Sequence, residues 1–201
     1  MQASYCGHKE GVQLLLASGA DIDARDEWCW SALHLASYFN REDIARLLID
    51  RGADVDQLTE NSCTGLHFAA HCGHQSMAQI LLACGANINA RSMGGSFPLH
   101  LASSIGHIEV VKLLLANGAD IDLQNNNHET ALQIAIIRSQ SSTKSLLLAH
   151  KSQASTVRAA LPSHHVESTT TPLDGSVDVS FDADTCQGNS EDVVPIDNGS
   201  F

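Results

Sequence analysis

Aliphatic triplets recur along the chain at 14–16, 47–49, 80–82, 113–115 and 146–148, always 33 residues apart. A second pattern keeps the same step. Ser31, Ala32, Leu33 and His34 align with Thr64, Gly65, Leu66 and His67, with Phe97, Pro98, Leu99 and His100, and with Thr130, Ala131, Leu132 and Gln133. Two residues further on stands Ala36, Ala69, Ala102 or Ala135, and Gly-Ala follows the triplets at 19–20, 52–53, 85–86 and 118–119. Small and aliphatic residues at helical spacing, punctuated by glycine, predict two short helices per period. Gly7, Gly73 and Gly106 end the first helix, and Gly19, Gly52, Gly85 and Gly118 end the second. One such pair is too small to bury its own apolar face. The repeat therefore predicts an all-α stack in which each pair is stabilised by its neighbours.

The third full unit carries Phe97, Pro98, Leu99 and His100, then Ala102, then Gly106 and His107, then 113–115, then Gly118 and Ala119. In that order these resemble the ankyrin signature of Thr-Pro-Leu-His, Ala-Ala, Gly-His, Leu-Leu-Leu and Gly-Ala. The resemblance covers about three quarters of the chain. It implies an ankyrin-repeat solenoid of stacked helix pairs with hairpin turns over 1–151. We divide this into a partial unit at 1–25, full units at 26–58, 59–91 and 92–124, and a capping unit at 125–151. Asn40 and Arg41, and likewise Ser139 and Gln140, replace Gly-His, while Cys29 and Ser62 replace the hairpin glycine. Those hairpins are expected to be less regular. Met1 falls at the ninth position of a repeat, so the first unit lacks its hairpin and the 14–16 face is expected to be under-covered, as in a fragment of a longer array. The last unit has Ser141, Ser142, Thr143 and Lys144 where the preceding one has aliphatics such as Val110 and Val111. A polar outer helix of this kind suits a terminal cap.

Beyond 152 the period disappears. The residues are rich in Ser and Thr, with Pro162, Pro172 and Pro195 interspersed, and hold eight acids against Arg158 alone. Few apolar groups and like charges predict a disordered acidic tail over 152–201, with a short helix around 154–161.

Overall charge narrows the function. Eleven Lys plus Arg against 23 Asp plus Glu give a net charge of -12, and the basic residues are scattered singly, so a nucleic-acid backbone would be repelled. No apolar run approaches the roughly 18 residues of a membrane span, and the N-terminus carries no basic-then-apolar signal. The chain is expected in the cytoplasm, the nucleus or both. Its six cysteines form no CxxC pair and read as free thiols.

His67 and His71 stand four apart with Cys63 and Cys72 nearby, yet there is no HExxH glutamate and no second cysteine pair. The resemblance instead makes His67, like His34 and His100, a structural histidine that ties the hairpin to the helix start. No GxSxG elbow, phosphate loop or kinase signature occurs. We expect no enzyme activity, no metal and no cofactor.

In ankyrin-like solenoids the hairpin tips and the exposed end of the inner helix line the concave face. The matching positions here hold Tyr5, Trp28, Trp30, Tyr38 and Phe39 in the first two units, five of the nine aromatic residues in the chain. Glu27, Glu60, Cys63, His71, Cys72, Met93, Ser96, Ser104 and Ile105 continue the face. Clustered Trp and Tyr are costly to leave in water and dominate binding hot spots. Trp28 and Trp30 could instead pack on each other or on the next hairpin. Tyr38 and Phe39, however, occupy positions that core packing is not expected to need. Two modification sites are also expected: Thr171, followed by Pro172, for a proline-directed kinase, and Asn89, at the hairpin position where the resemblance implies hydroxylation.

These features point to a monomeric, non-catalytic scaffold or adaptor that binds a protein partner. Two alternatives are a regulatory inhibitor whose acidic tail covers a basic site on the partner, and a fragment of a larger multidomain enzyme or channel.

Overall fold

The computed structural model describes residues 1–159, with side chains described through Gln153. Ten helices and no strand occur among the described residues. Five form an inner layer: α1 (Gln2–Cys6), α3 (Ala32–Tyr38), α5 (Gly65–Cys72), α7 (Pro98–Ile105) and α9 (Ala131–Ile137). The other five form an outer layer: α2 (Lys9–Ala17), α4 (Glu42–Asp50), α6 (Gln75–Ala83), α8 (Ile108–Ala116) and α10 (Ser141–Ala159). Each inner helix packs on the next inner helix and each outer helix on the next outer one. One core of buried residues runs unbroken from Val12 to Leu147, as expected of a solenoid stabilised by nearest-neighbour interfaces.

Every inner helix after the first starts in the same way. The Nδ1 of His34 accepts the backbone N–H of Ser31 at 3.0 Å, and His67 and His100 do the same for Thr64 and Phe97 at 3.1 and 3.3 Å. Gln133 substitutes its amide oxygen for the ring nitrogen, 2.7 Å from the Thr130 nitrogen. Each histidine Nε2–H then donates forward, to the carbonyls of Gln57, Ser96 and Glu129 respectively. The expected structural role of these histidines is thus met by a neutral ring with both nitrogens engaged. Burial lowers the pKa of His34 and of His67 to about 4, and lowers that of His100 as well.

Helix ends explain the Gly-His pairs. Gly73 adopts a left-handed conformation, φ 74°, and a methyl group there would lie 2.6 Å from Nδ1 of His107 in the next unit. Asn40 and Ser139, which replace this glycine, take the same left-handed conformation at φ 53° and 57°. The expectation of less regular hairpins is not met. Cys29 and Ser62 sit at φ 60° and 57°, close to the 73° of Gly95 in the following hairpin, because the hairpin hydrogen bonds hold them there at some conformational cost.

A second ladder joins the hairpin bases. Asp23 Oδ1 accepts the Asp54 N–H, Asp56 accepts that of Asn87, and Asn89 Oδ1 accepts that of Asp120. The next member, Asp122, is met by the Lys151 ammonium from α10 at 2.6 Å. The last unit thereby completes the ladder with a side chain where the others use backbone.

The two ends differ from the middle. Leu14 and Leu15 are 70% and 50% exposed, whereas Leu48 and Leu81, the counterparts of Leu15, are 1% and 0% exposed. The under-covered face expected at 14–16 is therefore present at Leu14 and Leu15. On α10, Ser141, Ser142 and Lys144 face solvent as a cap requires, but Thr143 is buried. The helix also continues to Ala159, so the start of the tail expected at 152 falls inside a helix. No proline occurs between the start of α10 and Pro162, and the intervening Lys151, Gln153, Ala154, Arg158 and Ala159 favour helix. The remaining tail, 160–201 with Thr171, lies outside the described residues.

Candidate partner-binding face

Tyr5, Tyr38, His71 and Ser104 stand one repeat apart at the end of successive inner helices. Each offers its carbonyl to the next unit. His74 Nε2–H donates to the Tyr38 carbonyl at 3.0 Å and His107 Nε2–H to that of His71 at 2.9 Å. Gln140 and Arg41 make the equivalent bonds to Ser104 and Tyr5 at 3.3 and 3.4 Å. The backbone of this column is thus fixed by its neighbours, leaving its side chains to form a surface.

On the first two units that surface is a continuous aromatic ridge. Tyr5 meets Phe39 edge to face with centroids 4.7 Å apart, Phe39 meets Tyr38 at 4.9 Å, and Tyr38 meets Trp30 at 5.9 Å. Trp30 then lies against Phe68 at 4.4 Å. The first three are the T-shaped geometry that aromatic quadrupoles favour, and the last is tilted, with 32° between the ring planes. All of these rings are half-buried except Phe68, which is buried. Tyr38 and Phe39 therefore contribute to packing, contrary to the expectation that packing does not need them, and burial raises the Tyr38 phenol pKa.

Phe68 is absent from the expected face. It occupies the position held elsewhere by Leu35, Leu101 and Ile134, so helical periodicity alone makes it a core residue. The available signal was that it is the one aromatic residue in that column.

Trp28 stands apart from its neighbours in exposure, at 55%. Its hairpin is nonetheless rigid. The Asp26 carboxylate accepts the N–H groups of Trp28 and Trp30 at 3.0 and 2.8 Å, and the Asp26 N–H donates to the Trp30 carbonyl at 2.9 Å. The Trp28 carbonyl in turn accepts the Glu60 N–H of the next hairpin at 3.2 Å. An exposed indole is therefore presented by a fixed backbone, with the exposed acids Glu27 and Glu60 beside it in sequence and space.

Further along, His71 and Cys72 are half-buried, and burial pushes the Cys72 thiol up to about 11, keeping it protonated at neutral pH. Ser104 donates its hydroxyl to the Leu101 carbonyl, while Ile105 is 40% exposed. Cys63 and Ser96, which the resemblance assigned to this face, are instead buried. Asn89 lies in the hairpin ladder, half-buried, with its side-chain oxygen engaged by Asp120.

Among the described residues no three His, Cys, Asp or Glu side chains gather where a metal ion could be held, and no helix is long and apolar enough to cross a membrane. His34, His67 and His100 each commit both ring nitrogens to the fold, which leaves them no lone pair for proton transfer.

Residues 1–92 match the family model described as ankyrin repeats (3 copies), and residues 81–135 match the one described as ankyrin repeats (many copies). No curated protein matches the chain. The 33-residue helix pairs, the histidine-linked hairpins and these matches lead to one assignment: the chain belongs to the ankyrin-repeat family.

Proposed function

We propose that this chain is a non-catalytic adaptor that acts as a monomer and binds a partner protein through the face formed by its hairpin tips and inner helices. Ankyrin repeats generally mediate protein–protein interaction. The observation that carries the reading is the exposure of Trp28 on a hydrogen-bonded hairpin beside the Tyr5, Phe39, Tyr38 and Trp30 ridge. Burying that indole against a partner would remove a large apolar surface from water. Because its backbone is already ordered, little loop entropy opposes the association. Trp and Tyr in such a setting are the residue types that dominate interface energetics.

Affinity capture tests this with three versions of the full chain: wild type, Trp28→Ala, and Gln79→Ala on the exposed surface of α6. A partner retained by wild type and Gln79→Ala but lost by Trp28→Ala supports the reading. Retention of every captured protein by all three would remove Trp28 from the binding face and with it the proposal.

A further inference from the structure

Neighbouring inner helices come close because small residues meet between them. Ser4, Ser37, Ala70 and Ser103 occupy the same point of successive units and are at most 1% exposed. Space there is tight: a methyl group added to Gly65 of α5 would stand 2.8 Å from the Ser37 hydroxyl of α3. The counterpart in the last unit is Ile136, which is 49% exposed. Beside it Ile137 is 63% exposed, and Leu148 of α10 is 46% exposed although its counterpart Leu115 is only 7% exposed. Another helix pair stacked in the register of the others would meet an isoleucine where only serine or alanine fits. The face is apolar, yet shaped against continuation of the stack, so its occupant must be a different kind of segment.

Charge narrows the choice. Arg138 follows Ile137, and Lys144 lies in the first turn of α10, both exposed. Residues 160–201 hold eight Asp and Glu and no Lys or Arg. Within them Val177, Val179 and Phe181 alternate with Asp178 and Ser180, and Asp174, Asp182 and Asp184 flank the run. A period of two places the three apolar side chains on one side of an extended segment. Reach is adequate as well. The part of α10 beyond Ala149 rises about 15 Å, and the chain length between Ala159 and Val177 allows a reach of at most roughly 60 Å.

We infer that residues 177–181 dock on the end face of the same molecule. Val177, Val179 and Phe181 cover Ile136, Ile137 and Leu148, and the flanking carboxylates face Arg138 and Lys144. The contact closes the solenoid at its apolar end and leaves the aromatic ridge at the other end open, so it stands or falls independently of the partner-binding proposal.

Methyl NMR on the full chain tests this. With isoleucine δ1 methyls and phenylalanine rings labelled, the docked segment gives nuclear Overhauser contacts between Ile136 or Ile137 and Phe181. Those contacts are lost and both methyl resonances shift in the Val179→Asp, Phe181→Asp double variant, whose changes lie outside the repeats. High salt shifts the resonances in the same direction, and dilution leaves them unchanged. Methyl resonances identical in wild type and double variant would overturn the inference. So would contacts that disappear on dilution and reappear between differently labelled molecules, since the occupant would then be a second copy.

Discussion

The indole of Trp30 lies against the ring of Phe68, centroids 4.4 Å apart, across the boundary between the second and third units. Phe68 is 3% exposed, so this contact, with that between Tyr38 and Phe68 at 6.0 Å, joins the aromatic ridge to the core. Phe68→Ala should destabilise the chain by about 3–5 kcal/mol. Phe68→Leu, which restores the aliphatic residue of the other units, should cost about 1–2 kcal/mol. Urea denaturation of both variants checks this, and equal costs would mean that the ring itself is not what the site is built around.

Leu114 and Leu15 occupy the same place in their units, but Leu114 is fully buried and Leu15 is half-exposed. Leu114→Ala is expected to cost about 2–5 kcal/mol through lost burial and a residual cavity. Leu15→Ala should cost less than about 1.5 kcal/mol. The comparison isolates coverage by neighbouring units, because chemistry and local structure are the same at both sites.

Acid should weaken the fold earlier than carboxylate titration would. Burial holds the folded pKa of His34 and of His67 at about 4, against 6.5 when exposed. Between those values the unfolded chain binds more protons than the folded one, so stability is full above about pH 6.5 and falls as the pH drops toward 4. Each histidine contributes a slope of up to about 1.4 kcal/mol per pH unit in that window. Protonation is doubly unfavourable because Nδ1, which accepts a backbone N–H, would then carry a proton facing that donor. Replacing His67 by Gln, the residue type at the equivalent position 133, should flatten the profile between pH 4 and 6.5 in thermal melts.

Much of this architecture is legible in the sequence because a repeat states each local rule several times. The Leu-His step revealed the helix starts, and the histidines proved to bridge hairpin and helix as their position implied. What a single residue type could not reveal was conformational tolerance. Cys29 and Ser62 hold the left-handed turn that glycine holds elsewhere, since hairpin hydrogen bonds override intrinsic preference. Nor does periodicity report which aromatic residues touch. Phe68 reads as core, and Tyr38 and Phe39 read as free, yet all three share one run of ring contacts. The exposure of Ile136 was likewise hidden, because its position is buried in every preceding unit.

The central claim rests on Trp28, and the decisive measurement is calorimetric titration of the captured partner into wild type and Trp28→Ala, with Tm recorded on both. An indole that is 55% exposed adds little to folding but supplies interfacial area. Affinity should fall by at least about 30-fold, equivalent to about 2 kcal/mol, while Tm shifts by less than about 3 °C. An unchanged Kd accompanied by a clear drop in Tm would contradict the account, for Trp28 would then be a packing residue and the partner would bind elsewhere.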